Sequence, residues 1–168
     1  MKKLILGLFI FGLTTQVFSQ ITKVEELSEV VVTAVNYKYL NQTDNKDAAI
    51  PVKVLQRKAA AYDVTTQDYY EDDFDFYSVS FHIPNGKLVA VYNPEGEILR
   101  TIERFNDVRL PEAVSKSLTE RFPNWVAVSD IYRITYKKDK GAKKVYKLKL
   151  KNEDKTMRVK VNEDGEYL

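Results

Sequence analysis

Three groupings of side chains in this sequence are of types that do chemistry. The first is Asp68-Tyr69-Tyr70-Glu71-Asp72-Asp73-Phe74-Asp75-Phe76-Tyr77. Its carboxylates are hard oxygen ligands of the kind that hold Ca²⁺. They lack the spacing of an EF-hand loop, and no Gly supplies that loop's sharp turn. Paired carboxylates also act as acid and base in glycoside hydrolysis, at a separation that sequence alone does not set. The plain reading is a solvated acidic loop entering a strand, with Phe76 or Tyr77 turned inward. The second grouping is Arg133, Lys137, Lys138, Lys140, Lys143, Lys144, Lys147, Lys149 and Lys151, set against one acid, Asp139. Lys137 to Lys144 reads as a hairpin tip, and Lys147, Lys149 and Lys151 read as a stripe on one strand face. That stripe is either a solvated sheet face or a landing surface for an acidic partner, an anionic glycan or lipid headgroups. The third grouping is His82, the only histidine, with Ser78 and Ser80 on its strand face. Ser80 and His82 stand i and i+2 on one strand, about 7 Å apart, which is too far for a nucleophile and its base. No G-x-S-x-G elbow and no phosphate-cradling glycine loop is present.

Composition narrows the classes further. The chain has 168 residues with 26 Lys or Arg, 24 Asp or Glu, and no cysteine. Met1-Lys2-Lys3, the apolar run Leu4 to Leu13 and Val17-Phe18-Ser19 have the form of a secretory signal, with cleavage expected after Ser19. Removing Lys2 and Lys3 leaves 24 bases against 24 acids. A neutral total argues against a general nucleic-acid binder. Without cysteine there are no disulfides, no thiol nucleophile, no lipid-anchored form and no thiolate metal site. No later stretch is long and apolar enough to span a bilayer. The expected location is periplasmic or secreted.

The elements that would position these groups repeat. Residues 77 to 99 and 146 to 168 match at a constant offset of 69. Tyr77, Val79 and Phe81 correspond to Tyr146, Leu148 and Leu150, while Gly96, Glu97 and Leu99 correspond to Gly165, Glu166 and Leu168. Each copy alternates apolar and polar residues, the period of a strand with one buried face. Turn chemistry separates the strands at Pro84-Asn85-Gly86-Lys87, Asn93-Pro94-Glu95-Gly96, Asn152-Glu153-Asp154-Lys155 and Asn162-Glu163-Asp164-Gly165. A helix precedes each meander. Pro111 suits a first helical position, with Leu110, Val114, Leu118 and Phe122 on one stripe and Pro123 as the stop. Ile50-Pro51 opens the other helix, with Val54, Leu55 and Ala59 on a weaker stripe ending near Ala61. Between the second helix and its matched strand lies a long strand, Val126 to Tyr136. Tyr132 and Tyr136 should face the core with Val126, Val128 and Ile134, their hydroxyls wet, and Trp125 should cover the core's end.

The expected organisation is a signal peptide (1–19), an N-terminal strand and linker (20–49), a first helix-plus-meander unit (50–105) and a second (106–168). Within the N-terminal part, Leu27 to Leu40 reads as extended and Asn41 to Asp47 as a polar linker. The fold class is α+β, with tandem helix-plus-antiparallel-sheet units and each helix packed on one sheet face.

Leu110-Pro111, Val114, Leu118, Phe122-Pro123, Tyr146, Leu148, Leu150 and Gly165 together resemble the PepSY-like proteins. These belong to the broader group with the β-lactamase-inhibitor-protein type of fold. The resemblance runs from about Ile50 to Leu168. It implies a small exported tandem α+β protein with a non-catalytic binding or inhibitory role, no cofactor and no catalytic residues. A second stretch, Leu27 to Ala34, is similar to the segment that opens the plug of TonB-dependent receptors, although the chain is too short for plug and barrel. The leading expectation is a binding or inhibitory module of the cell envelope with a protein partner. Its contacts would come from Tyr69, Tyr70, Asp72, Asp73, Asp75, Arg133, Lys147, Lys149 and Lys151. The alternative is an envelope binder of a divalent cation or polyanionic glycan, and behind it a carboxylate-based hydrolase. The acidic run and the basic run either pair with each other or face separate partners.

Overall fold

The computed structural model describes residues 36–168. The expected signal peptide and the receptor-like stretch Leu27–Ala34 lie outside the described residues. The elements follow in the order α1 (Tyr37–Thr43), α2 (Ile50–Ala60), β1 (Tyr77–Ile83), β2 (Gly86–Tyr92), β3 (Ile98–Asn106), α3 (Glu112–Arg121), β4 (Val126–Lys137), β5 (Gly141–Asn152) and β6 (Lys155–Val161). The class is α+β, and the six strands form one antiparallel sheet in the order β1-β2-β3-β4-β5-β6.

One sheet replaces the expected sheet in each unit. β3 pairs with β4 from Arg100↔Lys137 to Asn106↔Ile131. A three-stranded meander ending at β3 would leave a row of unpaired N–H and C=O groups, and β4 satisfies it. Side chains of all three helices share one core with the inward strand residues. Val52, Leu55, Val114 and Leu118 meet Leu88, Phe105, Ile134, Leu148 and Leu150 there. On α2 the buried stripe is Val52, Leu55, Gln56, Ala59 and Ala60, while Val54 is exposed. Pro111 caps α3 with extended ψ rather than occupying its first turn. Trp125 packs against the core's edge, as its position after the helix stop implied.

Residues 37–43 are helical where extended chain and linker were expected. The cause is tertiary. Tyr39 and Thr43 are four apart and both buried, and the Thr43 hydroxyl donates to the Tyr39 carbonyl at 2.9 Å. The Tyr39 ring meets Tyr136 edge-on at 5.2 Å, and its hydroxyl donates to Glu103 Oε1 at 2.9 Å. Gln56 Nε2 donates to Glu103 Oε2 at 3.0 Å, and the Thr101 hydroxyl donates to Oε1 at 2.8 Å. One buried carboxylate thus ties α1 and α2 to β3. Burial pushes the Glu103 pKa up, and its three donors oppose that shift.

Two expectations about β4 change. A bulge between Ala127 and Ser129 shifts the strand's parity. Val126 and Val128 are exposed as a result, while Tyr132, Ile134 and Tyr136 stay inward. The Tyr132 hydroxyl is buried with no hydrogen-bond partner, not wet. Its ring stacks on Tyr146, with centroids 4.1 Å apart.

The β2–β3 turn and the turn after β6 have the same bonding. Asn93 Oδ1 accepts from Glu97 N at 2.7 Å, and Asn162 Oδ1 accepts from Glu166 N at 2.8 Å. Gly96 and Gly165 both take positive φ, +78° and +84°. Their surroundings differ. A Cβ on Gly96 meets nothing within 4 Å, whereas one on Gly165 would lie 2.7 Å from the Ala113 carbonyl oxygen. Ser117 Oγ donates to the Gly165 carbonyl at 2.6 Å, and the Tyr167 hydroxyl donates to the Ser117 carbonyl at 3.2 Å. The Arg121 guanidinium sits 4.3 Å from the Tyr167 ring centre. These contacts fasten α3 to the chain's last turn.

Candidate functional site: an open cationic sheet face

Strand alternation sends one set of side chains into the core and the other out. The outward set carries Lys87 on β2, Arg100 and Arg104 on β3, and Arg133 and Lys137 on β4. It continues with Lys143, Lys147, Lys149 and Lys151 on β5, and Arg158 and Lys160 on β6. All are exposed except the half-buried Lys147. No Asp or Glu occupies an outward strand position among the described residues. None of these cations makes an ion pair among the described residues.

The register sharpens this. Lys87 stands opposite Arg104, Arg104 opposite Arg133, and Arg100 opposite Lys137. Lys147 stands opposite Lys160, and Lys149 opposite Arg158. Like charges directly opposed across strands destabilise a sheet. His82 extends the first row, opposite Lys87, and is exposed beside Ser78 and Ser80. Between the cationic rows run Ser80, Val89, Ile102 and Thr135, with Ile102 60% exposed. On β4, β5 and β6, Arg133, Lys143, Lys147 and Lys160 ring a depression of about 340 Å³ with Thr135, Val145 and Leu168.

Arg133, Lys147, Lys149 and Lys151 therefore stand together on this face. Lys144 does not. It lies on the inner side, opposite Ile134, and its ammonium contacts Glu163 at 3.1 Å. The tip of the β4–β5 hairpin is confined to Lys138–Lys140, and Lys138 pairs with Glu97 at 2.6 Å. Lys87, Arg100 and Arg104 were missed as partners of the stripe because they are scattered along the chain. The signal that finds them is the outward parity of every strand, counted together.

Tyr69, Tyr70, Asp72, Asp73 and Asp75 lie apart, in the loop between α2 and β1. Tyr77 turns inward and Phe76 stays 63% exposed. Tyr70 stacks on Tyr77 at 5.4 Å, and Tyr69 and Phe74 lie beside the same ring. The Tyr77 hydroxyl bonds back to Glu71. Asp72, Asp73 and Asp75 are exposed. Among the described residues no three His, Cys, Asp or Glu side chains gather as a metal-holding group. The acidic loop and the Lys stripe make no ion pair with each other among the described residues.

One carboxylate on the inner side is out of balance. Asp130 is buried, its Oδ1 has no partner, and its backbone N–H donates to Asp107 Oδ1 at 3.2 Å. Burial pushes its pKa up from 3.8 to about 6, the Asp107 charge adds to this, and a Val108 backbone hydrogen bond opposes it. In the unfolded chain Asp130 loses its proton near the ordinary value, while in the folded chain it keeps it until about 6. Its contribution to stability is therefore full at low pH and falls as pH rises through that window, by about 1–2 kcal/mol in all. Asp130→Asn should flatten this part of the stability–pH curve in denaturant titrations at stepped pH. An unchanged slope would show that Asp130 titrates normally.

No family model matches the chain, and no curated protein matches it. Among solved structures it is similar to a DUF2874 family protein from Bacteroides ovatus. The likeness covers 58% of this chain and 70% of that one, at 16% identity and a TM-score of 0.34. No helix of the described residues is long and apolar enough to cross a membrane.

Proposed function

We propose that this protein is an exported, non-catalytic binding module that holds an anionic macromolecule against its open sheet face. The observation that carries the proposal is the set of five directly opposed like-charge pairs on a face whose outward strand positions, among the described residues, hold no Asp or Glu. A face shaped by stability alone sets opposite charges across from each other. This one keeps its repulsion and gains potential for an anion. The basic start of the chain and its apolar run support export. The matched turns at Gly96 and Gly165, with the residues shared with PepSY-like proteins, support two related helix-plus-meander units fused through β3 and β4.

The test is affinity for heparin, a long polyanion used as a probe, measured at low and at high salt. Affinity should fall steeply with salt, because bound cations release counterions from the polymer. Charge reversal at Lys149 should weaken binding by about tenfold or more, while reversal at Lys58 or Lys116 on the helices should leave it within about twofold. Salt-insensitive binding, or equal losses from helix and sheet lysines, would remove this reading.

A further inference from the structure

We infer that the depression ringed by Arg133, Lys143, Lys147 and Lys160 is a subsite for the doubly charged terminal phosphate of a linear polymer. The inference rests on the reading of the sheet face as an anion-binding surface and names the group bound there. Val145 stands opposite Arg133, so Lys143 and Lys147, two residues to either side, are both diagonal neighbours of that guanidinium. Lys160 is the direct partner of Lys147. Four cations thus surround one recess of about 340 Å³ that Val145 and Thr135 help to line.

The chemistry of the recess selects its occupant. A lone carboxylate of an acidic protein carries one charge and answers one or two of these cations. A terminal phosphate carries about two, with three oxygens to share. Arg133 offers a planar fork to two of them, the lysines act as point charges, and the Thr135 hydroxyl can donate to another. Lys149 and Lys151 follow Lys147 along β5 at intervals of about 7 Å, which lays further cations along a chain leaving the recess. A lipid surface fits less well. Among the described residues no Trp, Tyr or Phe lines the recess, and such residues anchor proteins at membrane interfaces.

The experiment is a calorimetric and chemical-shift titration of the full mature chain with tripolyphosphate. One saturable site is expected, with shifts centred on Thr135, Val145 and their basic neighbours. The double variant Lys147→Ala/Lys160→Ala should bind about tenfold or more weakly, and Lys116→Ala, on α3, should bind as the parent does. Absence of saturation, or shifts spread evenly over the face, overturns the subsite. So does oligothymidylate without a terminal phosphate, whose diesters carry one charge each, if it binds as tightly as tripolyphosphate. Binding to phosphatidylglycerol vesicles without binding to tripolyphosphate overturns it too. If heparin is still held while tripolyphosphate is not, the subsite fails and the face reading stands. If neither is held, both fail.

Discussion

Alanine at Gly165 should cost the fold about 3 kcal/mol, while alanine at Gly96 should cost only about 1 kcal/mol. The two glycines hold equivalent turns and nearly equal φ, +84° and +78°. An L side chain pays for the left-handed backbone at both. Only at Gly165 does the new Cβ meet packed atoms, 2.7 Å from the Ala113 carbonyl oxygen and 2.9 Å from Ser117 Cβ. Neither neighbour is the free end of a flexible side chain, so α3 or the turn must move. That movement also strains the bond from Ser117 Oγ to the Gly165 carbonyl. The melting temperature should drop by about 10 °C for the first variant and about 3 °C for the second. Equal losses at the two positions would show that backbone conformation alone sets the cost, and that α3 is not held by this turn.

Arg104→Glu should make the protein more stable and a poorer binder at once. Arg104 faces Lys87 on one side and Arg133 on the other. A glutamate there turns two repulsive cross-strand pairs into two attractive ones, a gain of about 1 kcal/mol. The site is exposed, so little packing is lost. The same change places an acid in the middle of the cationic row and should weaken heparin binding by about tenfold or more. Denaturant melts and affinity measurements on one preparation test both halves. A variant that loses stability, or one that gains it and still binds fully, would break the link between the opposed charges and function. Natural sequences commonly carry such unrelieved strain where function demands it.

Much of the sheet was legible from residues 77–168, because each strand alternates cleanly and the turns carry Asn, Pro and Gly where the backbone needs them. The bulge at Val128 was not. Val126, Val128 and Ile134 are all apolar, and nothing local marks the change of parity that exposes the first two. Helix α1 was not legible either. Tyr37-Lys38-Tyr39-Leu40-Asn41-Gln42-Thr43 has weak helical propensity, and its conformation depends on burying Tyr39 against Tyr136 and Glu103. The joining of β3 to β4 is a contact across an intervening helix, which a repeat conceals by making β3 look like an end. On the candidate site, the stripe Lys147, Lys149, Lys151 and the outward pointing of Arg158 and Lys160 were readable from one hairpin. Their continuity with Arg104 and Lys87 needed the register between strands, which is a property of the assembled sheet.

The order of the strands has a kinetic consequence. Every strand pairs with its neighbour in the chain, so only the β3–β4 pairing reaches across an intervening element. Loop-closure entropy grows with the logarithm of loop length, and turns of a few residues keep it small. The β4–β5 hairpin, closed by Lys138–Lys140 and paired along nearly its whole length, is the longest ladder and the natural nucleus. From it the sheet grows outward by short steps toward β6. Growth toward β3 must span the segment that holds α3, so that closure is the slow one. Molecules caught before it carry an unpaired edge at β4, the species most exposed to association during refolding.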